Sequence, residues 1–141
     1  MQQLQISTHS AGRIYRQPHF FILNKGVNSG KPLKSSCPNC FVFVADDEAQ
    51  MDFYYWLFYG LWKAKSFHAI HKGSVILFIT LNDLKTLIFD ASIRANEAGG
   101  TFEESIKTLK KLEQLESLYL SNLKLVSEAK RIVFHRYAQR R

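Results

Sequence analysis

Residues 23–43, LNKGVNSGKPLKSSCPNCFVF, hold most of the residue types that could do chemistry. Their glycines and lysines first suggest a phosphate cradle. A nucleotide-hydrolysing loop reads G-x-x-x-x-G-K-[ST], with the hydroxyl on magnesium and a helix opening behind it. Here Gly26 and Gly30 enclose three residues, and Lys31 is followed by Pro32, which has neither a hydroxyl nor a backbone N–H. Nucleotide hydrolysis is therefore excluded. Glycines supplying positive φ in turns explain the pair, and residues 23–36 are expected to form an irregular surface loop. A simpler chemistry survives: backbone N–H groups, with Lys25, Lys31 and Lys34, could hold a phosphate without cleaving it.

Cys37 and Cys40 raise a second chemistry, since C-x-x-C is half of a tetrahedral zinc site. His68 and His71, three apart in FHAIH, are the candidate other half. The competing reading is packing, because Cys40 opens the apolar run CFVFV, where a buried thiol serves as a small hydrophobe. Packing is favoured, and no metal or other cofactor is expected. A thioredoxin-type pair sits at a helix N-terminus, whereas this pair precedes a strand-like run. No G-x-S-x-G elbow is present. The acids Asp46, Asp47, Glu48 and Asp52 gather at one helix start, where capping accounts for them. A non-enzyme is expected.

The third candidate is the aromatic run MDFYYWLFYGLW. At about 100° per residue, Met51, Tyr55, Phe58 and Trp62 share one face, and Phe53, Tyr54, Leu57 and Leu61 an adjoining one. Trp56, Tyr59 and Lys63 form a narrow third face. A helix apolar nearly all round is usually buried. The alternative is that Trp56, Tyr59 and Lys63 meet a partner, by stacking bases or anchoring a protein interface.

The elements that must position these residues read as α+β in a single domain, 1–141. Residues 1–45 suggest a small antiparallel sheet with the loop, built from RIYRQPHFFIL and FVFVA. Residues 46–98 hold central helices, the aromatic one packed on the sheet. The run GSVILFIT reads as a further strand before a helix capped by Thr80 and Asp83 and ended by Gly99-Gly100. A long last helix, 101–137, is expected to start at a Thr101–Glu104 capping box. Ile106, Leu109, Leu112, Leu115, Tyr119, Leu123, Val126, Val133 and Tyr137 mark its apolar stripe, either unbroken or broken near Ser121-Asn122. That stripe is longer than the sheet segment can cover, so burial against a second copy or a protein partner is expected.

The net charge of +7 is unevenly spread. Residues 1–45 carry Arg13, Arg16, Lys25, Lys31 and Lys34 and no acid. Residues 122–141 carry Lys124, Lys130, Arg131, Arg136, Arg140 and Arg141 against Glu128 alone. A chain basic at both ends is drawn towards polyanions. No apolar run approaches the roughly 20 residues of a membrane span, and the N-terminus lacks a secretory pattern. With only Cys37 and Cys40, a reducing cytoplasmic setting is expected.

The segments QPHFFILNKGVNSGKPLKSSCPNCFVF and FYYWLFYGLW resemble an uncharacterised family of small bacterial proteins associated with conjugative and other mobile elements of gut anaerobes. The resemblance covers residues 17 to about 80. It implies a bacterial cytoplasmic protein of a mobile element and carries no residue roles. Two functional expectations follow. The first is a non-enzymatic nucleic-acid-associated accessory protein with one phosphate-facing surface of Arg13, Arg16, Lys25, Lys31 and Lys34. A second surface would hold Lys130, Arg131, Arg136, Arg140 and Arg141. The alternative is a protein–protein adaptor or assembly factor, acting through the aromatic helix and the long C-terminal helix.

Overall fold

The computed structural model describes residues 3–139. They resolve into two compact units, Met1–Gly99 and Gly100–Arg141. The first is α+β. Its antiparallel sheet has the order β1-β4-β2-β3, from β1 (Ile6–Thr8), β2 (His19–Leu23), β3 (Pro32–Leu33) and β4 (Cys40–Val44). The two unbroken apolar runs, HFFIL and CFVFV, become the central strands because they are covered on both faces. Alternation then sorts their side chains. Phe20, Ile22, Phe41 and Phe43 enter the main core, and Phe21, Cys40 and Val42 form a small cluster on the reverse face under Tyr15.

The aromatic run forms α1 (Glu48–Lys63), which lays Phe58 into the main core. Asp47 caps it, Oδ1 accepting from the Gln50 N–H at 2.7 Å, and Gln50 Oε1 accepts from the Asp46 N–H at 2.6 Å. A 3-10 turn, Ser66–Ile70, adds Phe67, and α2 (Leu81–Ala98) adds Leu84 and Ile88. Thr80 caps α2 through the Asp83 N–H at 3.3 Å, and Gly99 ends it with φ +56°.

Two expectations need correction, and one open alternative is decided. Residues 74–80 are not a strand. Gly73, at φ +96°, closes a tight turn in which Lys72 and Phe78 exchange two backbone hydrogen bonds, leaving Val75 and Ile76 exposed. Only isolated bridges form there, Lys25 to Phe78 and Lys72 to Phe78. Thr101 does not cap the last helix. That helix, α3 (Gly100–Ala138), follows α2 through Gly99 alone, so no extended residue is left to cap it and Thr101 is already helical. Nor does α3 break at Ser121-Asn122; it runs unbroken for 39 residues, about 58 Å.

The loop 23–36 is less irregular than expected. Pro32 and Leu33 pair with Ile22 and Phe21, making it a β2–β3 hairpin. Gly26 and Gly30 supply positive φ at +92° and +100°. The Gly30 N–H donates to the Leu23 carbonyl at 2.7 Å and the Leu23 N–H to the Lys31 carbonyl at 3.0 Å. Ser29 and Gly30 are buried, so only part of the segment lies on the surface.

Candidate functional site

The hairpin geometry decides where the loop lysines go. Pro32 is buried on the core side of β3, α1 packs near β3, and Lys31 and Lys34 reach rings of α1. Lys31 Nζ sits 4.8 Å from the centroid of the Trp62 ring, and Lys34 Nζ 6.0 Å from that of Tyr55. Lys63, on α1 itself, places its Nζ 4.7 Å from the Trp62 centroid and 5.9 Å from that of Tyr59. Trp62 Nε1 also donates to Asn28 Oδ1 in the hairpin, at 3.4 Å. Two stretches that look separate along the chain thus meet as one cation–aromatic surface.

The rings beneath are linked edge to face. Trp56 meets Tyr59 at 5.1 Å, Tyr59 meets Trp62 at 5.7 Å and Tyr55 meets Trp56 at 5.5 Å between centroids. Tyr59 is buried and Trp56 half-buried. The ring that gathers the lysines is Trp62, which helical spacing places with Met51, Tyr55 and Phe58 and not with Lys63. The signal that could have found it is a hairpin register bringing Lys31 beside α1.

Arg13 lies over Tyr15 at 5.2 Å, beside the reverse sheet face, and Arg16 is exposed. Lys25 is exposed and its backbone bridges Phe78. Lys130, Arg131 and Arg136 are exposed on α3, where Arg136 stacks over Tyr137 at 4.8 Å. Arg140 and Arg141 lie outside the described residues.

The candidate zinc ligands are separated by the sheet. Cys40 is buried on the reverse face, its thiol donating to the Cys37 carbonyl at 3.1 Å. Burial raises its pKa, the hydrogen bond with Cys37 opposing this. His68 and His71 do come together, with ring centroids 4.8 Å apart, but beside the 3-10 turn whose Phe67 fills the main core. Among the described residues no group of three or more His, Cys, Asp or Glu side chains converges.

A pair that sequence reading missed is Ser29 and His71. Ser29 Oγ donates to the Gly26 carbonyl at 2.8 Å and lies 2.9 Å from His71 Nε2. A serine beside an imidazole is half of a nucleophile–base arrangement. Ser29 is only 1% exposed and its hydroxyl is committed to the turn, so the pair ties the hairpin to the segment after the 3-10 turn.

Among the described residues no helix is long and apolar enough to cross a membrane. Over residues 6–136 the chain matches the Family of unknown function (DUF6943), and it belongs to that family. No curated protein and no solved structure matches it.

Proposed function

We propose that this family member is a non-enzymatic nucleic-acid-associated accessory protein, belonging to a mobile element and working in the bacterial cytoplasm. The observation that carries the reading is the cation–aromatic surface, where Lys31, Lys34 and Lys63 stand over Trp62, Tyr55 and Tyr59. Rings that hold ammonium groups in place lower the entropy cost of presenting them to phosphates. Aromatic rings among the cations offer π-faces against which unpaired bases stack. Lys130, Arg131 and Arg136 on α3 supply a second set of phosphate contacts. The resemblance of residues 17–80 supports the mobile-element setting.

The test is fluorescence anisotropy with labelled single-stranded and duplex DNA across a salt series. Each phosphate contact contributes about 0.7–0.9 to the log–log salt slope. Replacing Lys31, Lys34 and Lys63 together by Gln should flatten the slope by about 2–3 and weaken all sequences alike. A folded protein that binds neither DNA at low salt defeats the proposal.

A second reading, a protein–protein adaptor or assembly factor, is favoured by one observation. The 39-residue α3 has no buried residue and exposes Leu112, Tyr119, Leu123 and Val133.

A further inference from the structure

We infer that a second copy of this chain covers α3, the two helices packing antiparallel and centred near Leu123. The inference rests on the assembly reading and names its partner. Leu112, Tyr119, Leu123, Val126, Val133 and Tyr137 are each between 53% and 72% exposed. Beginning at Leu109, these residues follow the alternating three- and four-residue steps of a heptad seam, with two gaps. Glu116 and Lys130 occupy the gaps. A standard interface buries about 800 Å² per partner, and six large side chains more than half exposed supply area on that order. A monomer rarely leaves an apolar strip of this length in water.

Charge selects the occupant and its direction. Residues 100–120 hold Glu103, Glu104, Glu113 and Glu116 against three lysines, whereas residues 121–139 hold Lys124, Lys130, Arg131 and Arg136 against Glu128 alone. Parallel pairing would put the basic halves side by side, with Lys130 on Lys130 and Glu116 on Glu116 inside the seam, where like charges cost most. Glu116 and Lys130 each lie seven residues from Leu123. Antiparallel pairing about Leu123 therefore brings Glu116 of one copy level with Lys130 of the other, and the basic half of each beside the more acidic half of its partner. The seam carries its own complement only in this direction.

The experiment is multi-angle light scattering and sedimentation equilibrium on the full chain. The expected particle is twice the 16.3 kDa chain. Leu123→Glu should give a monomer. Glu116→Lys alone should weaken association by about tenfold or more, and Glu116→Lys with Lys130→Glu should restore it. Exposed charges do not decide whether the chain folds, so the swap stays informative if Leu123→Glu aggregates. A particle that is monomeric at every concentration overturns self-pairing and leaves the assembly reading to another occupant. A dimer that Leu123→Glu leaves intact overturns pairing through α3. A dimer indifferent to Glu116→Lys overturns the antiparallel direction.

Discussion

Gly30→Ala tests whether the hairpin is seated on the core as described. Gly30 has φ +100°, and a Cβ built there runs into the ring of Phe67. Phe67 has little freedom to retreat: it is fully buried and stacked on Phe58, with centroids 5.9 Å apart and planes at 22°. Gly26 is the internal control, at φ +92° with nothing within 4 Å of an added Cβ. Left-handed strain costs about 1–3 kcal/mol, partly offset by the smaller unfolded-state entropy of alanine, so Gly26→Ala should lose about 1–2 kcal/mol. Gly30→Ala carries that strain plus overpacking of about 1–3 kcal/mol, for a total of roughly 2–5 kcal/mol. Against a typical stability of about 5–15 kcal/mol this is a large share. Urea unfolding followed by tryptophan fluorescence is the assay, because both tryptophans, Trp56 and Trp62, lie in the unit Met1–Gly99. Shortening the ring with Phe67→Leu should shrink the extra cost of Gly30→Ala and leave that of Gly26→Ala unchanged. Equal losses at the two glycines, or no effect of Phe67→Leu on the difference, would refute the close approach.

Two further outcomes follow from single contacts. Asp47→Ala removes the α1 cap and should cost about 1 kcal/mol in the same urea titration, while Asp47→Asn, which keeps an acceptor, should cost less. The Asp83 carboxyl is held below its ordinary pKa by the hydrogen bond from Lys72, 3.0 Å away, and then by Thr80. A carboxylate with a depressed folded pKa adds stability above its unfolded value of about 3.9 and loses it as pH falls through the folded one. Lys72→Met should therefore raise the Asp83 midpoint in a carboxyl NMR titration and remove part of the acid sensitivity below about pH 4.

What could be read from the sequence was local. HFFIL and CFVFV announce buried strands by unbroken apolar character, and Asp47 and Thr80 announce helix starts by residue type. The α+β architecture, with the aromatic helix on the sheet and a long last helix, follows from those signals. The failures share one cause, a decision taken by distant partners. GSVILFIT has strand composition, yet only single bridges with Lys25 and Lys72 are offered to Phe78, so no ladder propagates. Pro32 looks like a loop residue, yet a two-residue pairing with β2 is enough to fold the loop back. Thr101 and Glu104 have the residue types of a capping box, but Gly99 alone joins the two helices.

The candidate surface depends on the same long-range step. Lysine content could be counted along the chain, and the aromatic helix could be seen, but their meeting requires the register of β3 against β2. Leu33 opposite Phe21 points to the reverse face, which turns Pro32 to the core and leaves Lys31 and Lys34 to reach across to α1. Moving that register by one residue would exchange the faces, turning Pro32 and Lys34 to the reverse side and taking Lys34 away from Tyr55. Gly30, the residue before Lys31, is therefore more than a turn former. Its missing side chain lets the hairpin close over Phe67, and that closure places the Lys31 ammonium over Trp62. A Gly30→Ala chain that still folds should show altered Trp62 fluorescence and a flatter DNA salt slope than the Gly26→Ala chain. Through this one contact, the packing of the core and the arrangement of the cations are coupled.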